Sequence, residues 1–236
     1  MAGAAISEGV SRALKTDIPG PDWRIGFEEA RERGLPALFA ELPAPLRLVV
    51  EIGFGRGEFL LELAARDPGA AHLGVEYSHK RVLKLARRLA RTPLRNVRLL
   101  EAPGERVVRE LLAPGSVACC WINFPDPWPK ARHQRRRLIA PELVHELALR
   151  LEPGGELHVA TDHEDYAAQV DRSLAGEPLL RNAFAPEPFR PDVPGRQATA
   201  YELEWRAEGR PLHFFCYERG APAEPAPAGR YLPSPD

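Results

Sequence analysis

Residues 47–76 read RLVVEIGFGRGEFLLELAARDPGAAHLGVE, and the order of signals in this stretch decides the fold. The apolar run RLVVEI (47–52) is a buried strand and GFGRGEF a glycine turn. Residues 57–66 form a helix that stops at an Asp-Pro pair, and AHLGVE (71–76) is the next strand. A strand, a helix and a second strand in this order make a unit whose strands lie parallel. The alternation continues with a helix over about 79–91, the strand VRLLEA (97–102), a short helix to about 112 and the strand SVACCWINF (116–124). A helix over 135–151, the strand ELHVATD (156–162) and a helix over 164–175 complete it. The spacing predicts an α/β fold, a doubly wound and mostly parallel sheet with helices on both faces. Beyond residue 185 the pattern changes. APEPFRPDVPG (185–195) is a proline-rich loop, and YELEWRA (201–207) with LHFFCYER (212–219) predicts a C-terminal antiparallel hairpin. The predicted domain spans residues 31–219, after an N-terminal extension (1–30) expected to be partly disordered. Residues 220–236, with five prolines, are expected to be a disordered tail.

The chain has 236 residues, 44% hydrophobic and 28% charged, which suits one soluble domain. Its first residues carry acids early and have no long apolar run, so neither a secretory signal nor a spanning helix is predicted, and the expected location is the cytoplasm. Cys119, Cys120 and Cys216 fall inside apolar runs, a pattern of core residues rather than a disulfide framework or a zinc spacing, and no metal site is predicted.

Charge is unevenly placed. The net charge is −1, yet residues 79–98 hold eight Lys or Arg and no acid, and residues 130–137 add five more. The remainder is therefore strongly acidic, an asymmetry that steers a polyanion to one part of the surface. On the helix over 79–91, Val82, Leu85, Ala86 and Leu89 make an apolar stripe, and Lys80, Lys84, Arg87 and Arg91 fall opposite. That basic face either contacts a polyanion or is merely solvated.

Glu51 ends the first strand and is followed by Gly53, Gly55 and Gly57. Glycine lets a backbone approach a ligand closely. A pyrophosphate would be repelled by Glu51 and Glu58 flanking the turn, whereas S-adenosylmethionine carries a sulfonium and an ammonium that carboxylates attract. Glu76 ends the second strand, where an acid accepts hydrogen bonds from ribose hydroxyls. The pair favours S-adenosylmethionine over a nicotinamide dinucleotide.

Residues 123–137, NFPDPWPKARHQRRR, hold Asp126 between Pro125 and Pro127 in a stiff turn that runs into Lys130, Arg132, Arg135, Arg136 and Arg137. One reading is a proline turn before a solvated basic helix; the other is an acidic reactive group beside a phosphate-binding surface. Trp128 either stacks on a base or wedges the loop.

With these residues in hand, the chain resembles the bacterial tRNA (guanine-N7)-methyltransferase family over about residues 47–219. The motifs are NFPDPWPKARHQRRR, EIGFGRGEFL, GVE, TDHEDY (161–166) and TAYE (199–202). The resemblance implies a class I methyltransferase fold, S-adenosylmethionine as donor and a guanine in the tRNA variable loop as acceptor. It implies that Glu51, Glu76 and Asp126 are cofactor positions, with Gly53, Gly55, Gly57 and Asn123 beside them, and that Asp126 is also catalytic. Lys130, Arg132, Asp162, Thr199, Tyr201 and Glu202 become substrate positions. Pro103 departs from the pattern: it occupies the adenine position, where the family usually has an acid or amide, so the contact is expected from backbone, Glu101 or Glu105. Thr161 to Glu164 also fits a capping box, which would give Asp162 a role at a helix start.

Guanine N7 presents an in-plane lone pair, so its methylation needs no prior proton removal. What helps is orientation of the base and a negative charge as the purine becomes cationic, and Asp126 can supply both. Two alternatives remain. One is a methyltransferase acting on an exocyclic amine of RNA or on a small molecule, because Asn-Phe-Pro-Asp is similar to the Asn-Pro-Pro-aromatic loop of amino-group enzymes. The other is a non-catalytic RNA-binding protein of the same fold.

Overall fold

Five successive residues of the first long strand, Leu48–Ile52, are all buried, because helices cover both faces of the sheet they join. The computed structural model describes residue 18 and residues 23–220; the expected disordered tail apart from Gly220, and most of the expected N-terminal extension, lie outside the described residues. The strands are β1 (Arg24–Ile25), β2 (Leu48–Ile52), β3 (Ala71–Glu76), β4 (Val97–Glu101), β5 (Val117–Asn123), β6 (Leu151–Thr161), β7 (Leu180–Asn182) and β8 (His213–Arg219). The helices are α1 (Phe27–Arg33), α2 (Leu35–Leu38), α3 (Glu58–Arg66), α4 (His79–Leu89), α5 (Gly104–Glu110), α6 (Pro141–Arg150), α7 (Glu164–Ala175) and α8 (Ala200–Ala207), with a short 3-10 helix at Ala131–Arg136. The sheet order is β1-β4-β3-β2-β5-β6-β8-β7. Pairing is parallel from β1 to β6, and β8 runs antiparallel to both β6 and β7.

One face of the sheet is packed by α3 and α4, whose Leu60, Leu61, Val82 and Leu85 join Phe54 and Leu99 in one core cluster. The other face is covered by α5, α6 and α7 through residues such as Val107, Leu143, Leu147 and Val170. The stripe Val82, Leu85, Ala86, Leu89 is buried as expected, and Lys80, Lys84, Arg87 and Arg91 are exposed. The sheet begins earlier than residue 31, since Arg24 and Ile25 pair with Leu99 and Leu100 and Trp23 is buried.

Three expectations are corrected. The last strand is antiparallel, but it pairs with β6 and β7, and YELEWRA is helical rather than a hairpin strand. Thr199 and Glu202 form a complete capping box, and Tyr201 stacks on Trp205 four residues away, an i,i+4 pair on one helical face. Leu203, which a two-residue period would bury, is 60% exposed. The helix expected over 135–151 starts at Pro141 instead. Ala140 takes the extended conformation imposed by a following proline, so no helix runs through it, and Arg135 and Arg136 lie on the 3-10 helix. Finally, α7 is capped by His163, whose Nδ1 accepts from the Tyr166 N–H; the Thr161–Glu164 capping box does not form.

Candidate functional site

The order of the sheet reverses between β2 and β5, the place where open α/β sheets form a crevice at the carboxyl ends of their strands. Glu51, Glu76 and Asn123 occupy those ends. Glu51 is buried, with the Asn123 amide 3.4 Å from Oε1 and no partner for Oε2 among the described residues. Burial pushes its pKa up to about 8, against the lowering effects of the Asn123 hydrogen bond and the Arg196 charge. Glu76 is also buried and is engaged: Oε2 accepts from the Gly55 N–H at 3.2 Å and from Arg81 at 3.3 Å, and Oε1 from the Ser78 N–H at 3.0 Å. One carboxylate thus fixes both the glycine turn and the entry to α4. Within the turn, Gly57 has φ 78°, and a Cβ there would lie 2.3 Å from Leu85 Cδ2, so any other residue would have to displace the Leu85 side chain and adopt a left-handed backbone.

The proline loop is held under local strain. Phe124 and Trp128, on either side of Pro125-Asp126-Pro127, have φ of 53° and 43°. Arg137 restrains this shape: it is buried, donates to the Pro127 carbonyl at 2.8 Å, and bonds Gln169 and Asp165 of α7 at 3.0 and 2.6 Å. It is therefore a structural anchor, not part of an exposed basic surface. Trp128 lies 5.0 Å from the Arg136 guanidinium, edge-on to His133, and lines the wall of a cavity described below. Asp126 is exposed, and among the described residues no side chain bonds its carboxylate.

The segment 196–210 folds back over the glycine turn. Arg56 pairs with Glu204 at 2.8 Å and lies 4.9 Å from the Tyr201 ring, and Arg66 reaches Gln197 at 2.9 Å. Asp162 is tied to this cover by Arg210 at 3.2 Å. Between cover and sheet edge lies a cavity of about 330 Å³ lined by Glu51, Gly53, Gly55, Asn123, Asp126, Asp162, Thr199 and Tyr201. A neighbouring cavity of about 550 Å³ is lined by Gly53, Glu76, Pro103, Glu105, Asn123, Asp126 and Trp128. Gly53, Arg81, Asn123 and Asp126 belong to both, so the loop carboxylate stands where the two meet. Four expected site residues lie off these walls. Gly57 shapes the turn from behind, Glu202 is buried in ion pairs, and Lys130 and Arg132 are exposed at the start of the 3-10 helix. Near Pro103, Glu105 lines the cavity, whereas Glu101 is bonded to His79.

A family profile described as a putative methyltransferase matches residues 46–215. A tRNA (guanine-N7)-methyltransferase of Burkholderia vietnamiensis is 44% identical over 197 residues, covering 84% of this chain and 74% of the relative. The enzyme of that name from Geobacter metallireducens is 34% identical over 174 residues, 74% of this chain and 82% of the relative. The chain belongs to the tRNA (guanine-N7)-methyltransferase family. It spans 59% of the length of the Bordetella pertussis relative, with 48% identity over 149 residues. The solved 16S rRNA methyltransferase KamB superposes with a TM-score of 0.57 at 17% identity, covering 78% of this chain and 93% of that one, which shows the class I methyltransferase fold.

In this member of the guanine-N7 methyltransferase family the organising residue between sheet edge and cover is Arg196, which the sequence reading passed over. Its side chain is 6% exposed. It donates to Glu202 and, at 2.6 Å, to Asn123 Oδ1, and its guanidinium lies 4.7 Å from the Phe214 ring centroid and 5.2 Å from that of Phe59. The only sequence signal is its position three residues before Thr199.

Proposed function

We propose that the chain transfers a methyl group from S-adenosylmethionine to N7 of a guanine in the variable loop of tRNA. The observation that carries this reading is the buried, unpartnered Oε2 of Glu51, beside the same cavity wall that presents Asp126. An orphaned carboxylate oxygen with a pKa raised to about 8 calls for a cation, and the ammonium of the donor is one. Glu51 would hold that ammonium, Glu76 the ribose hydroxyls, and the wall formed by Pro103 and Glu105 the adenine. When bound, the donor supplies an electrophilic methyl on a sulfonium.

The protein's own part is orientation and charge. Asp126 stands at the junction of the two cavities, where its carboxylate can accept from guanine N1–H and the exocyclic amine and offset the charge that develops on the purine. The strained loop and its Arg137 anchor hold the backbone that carries this carboxylate in place before substrate arrives, so little backbone reorganisation is needed at the moment of transfer. Thr199, Tyr201 and Asp162 close the other wall. Lys130, Arg132, Arg135 and Arg136 are exposed on one side of this mouth and would take tRNA phosphates. A tRNA substrate would be met in the cytoplasm. Among the described residues no helix is long and apolar enough to cross a membrane.

The test is incubation with transcribed tRNA and methyl-labelled donor, followed by nucleoside analysis. Label in 7-methylguanosine is expected; label in an amine-methylated nucleoside, or none, would overturn the assignment.

A further inference from the structure

Outside the cavities just described, strands β5, β6 and β8 bring together four side chains that the proposed methyl transfer does not use. Directly paired residues of neighbouring strands project from the same face of a sheet. Cys119 pairs with Glu156, Trp121 with His158, and His158 with Cys216. Two sulfurs, an imidazole and a carboxylate therefore share one face. The ligating atoms of Cys119, Glu156 and His158 all lie within 4.8 Å of one another, Glu156 Oε2 is 2.8 Å from His158 Nε2, and Cys216 Sγ is 4.0 Å from that same nitrogen.

We propose that Cys119, Glu156, His158 and Cys216 form a metal site suited to zinc. Thiolate, imidazole and carboxylate donors in a group of four match the tetrahedral preference of that ion, whose ligand atoms stand about 3.3–3.8 Å apart when each is about 2.0–2.3 Å from the metal. Three features support a built site. The His158 ring is stacked on Trp121 with centroids 3.8 Å apart and planes 8° from parallel, which fixes the direction of Nε2. The four donors come from three adjacent strands of the sheet, so their backbone positions are rigid. A cavity of about 240 Å³ lined by Trp121, Glu156 and His158 gives access.

Both cysteines are free and buried. Binding a divalent cation would expel both thiol protons and form two metal–sulfur bonds, so affinity rises with pH. Two thiolates, one carboxylate and a divalent ion leave one net negative charge. Arg47, already paired with Asp67, is near enough to act on both Cys119 and Glu156.

The experiment uses the full chain, stripped with a chelator and titrated with Co²⁺ as a spectroscopic substitute, then with Zn²⁺. One cobalt per chain is expected, with sulfur-to-metal charge-transfer absorption in the near ultraviolet and the visible bands of a tetrahedral ion, all lost on adding one equivalent of zinc. Cys119→Ser should remove about half of the charge-transfer intensity, and Glu156→Gln and His158→Gln should weaken binding at least tenfold. The last two side chains are partly exposed, so they keep the test decisive if Cys119→Ser does not fold. The absence of binding, binding without the sulfur band, or parental affinity in both Glu156→Gln and His158→Gln would overturn the site.

Discussion

Replacing Glu51 by Gln is expected to stabilise the protein near neutral pH while weakening its hold on the methyl donor. Burial raises the Glu51 pKa from 4.5 to about 8. Because the folded value lies above the unfolded one, folding takes up a proton between about pH 4.5 and 8. The associated stability is fully present below pH 4.5 and is lost as pH rises through 8. At about 1.4 kcal/mol per unit, the interval from 4.5 to 7 corresponds to about 3 kcal/mol already lost at neutral pH. An amide does not titrate, but it places an N–H₂ where Oε2 has no partner, at a cost of roughly 1–3 kcal/mol. The variant should therefore gain up to about 2 kcal/mol at pH 7 and lose about 1–2 kcal/mol at pH 5, so the two stability curves cross. Urea unfolding of both proteins at pH 5 and pH 7.5 reads the crossing directly. Calorimetry at pH 8 should show donor affinity reduced about tenfold or more, since a hydrogen bond to a charged group is worth roughly 1.5–3 kcal/mol. Parallel stability curves, or unchanged donor affinity, would refute the buried-carboxylate argument.

Three further outcomes are expected. Donor binding by the parent protein should release protons below pH 8, because a bound ammonium favours ionised Glu51; calorimetry in buffers of different ionisation enthalpy would detect this, and no buffer dependence would contradict it. Gly57→Ala, with its Cβ 2.3 Å from Leu85 and a left-handed φ, should cost roughly 2–4 kcal/mol and lower the thermal midpoint accordingly. Charge reversal at Arg135 and Arg136, both exposed, should flatten the dependence of tRNA affinity on salt, while an unchanged slope would place the phosphates elsewhere.

The parts of the fold and site that were legible in the sequence are those whose cause is local. The strands ending at Ile52 and Glu76 and the glycines between them carry their own periodicity and conformational demands, so the sheet edge with Glu51 and Glu76 could be placed from residue types. The start of α6 at Pro141 was also written locally, in the constraint proline places on Ala140, but the basic run before it drew the helix too far back. YELEWRA satisfies both a two-residue alternation and a helical i,i+4 pairing. The capping box Thr199–Glu202 and the Tyr201–Trp205 stack decide in favour of the helix. Arg196 and Arg137 were not legible at all as organising residues. Their significance comes from partners 73 residues away at Asn123 and 28 away at Asp165, and neither spacing is visible before the sheet is assembled. The same holds for Cys119, His158 and Cys216, whose proximity emerges only when three strands align them.

The most direct test of the central claim is Asp126→Ala in single-turnover methyl transfer at saturating tRNA, with tRNA affinity measured alongside. Asp126 is exposed, unbonded to any described side chain, and shared by both cavities, so its removal should leave the fold and tRNA binding intact. Loss of most 7-methylguanosine formation, with tRNA affinity close to that of the parent, is the expected result. Transfer at the parental rate would reduce the proline loop to a structural turn and contradict the mechanism.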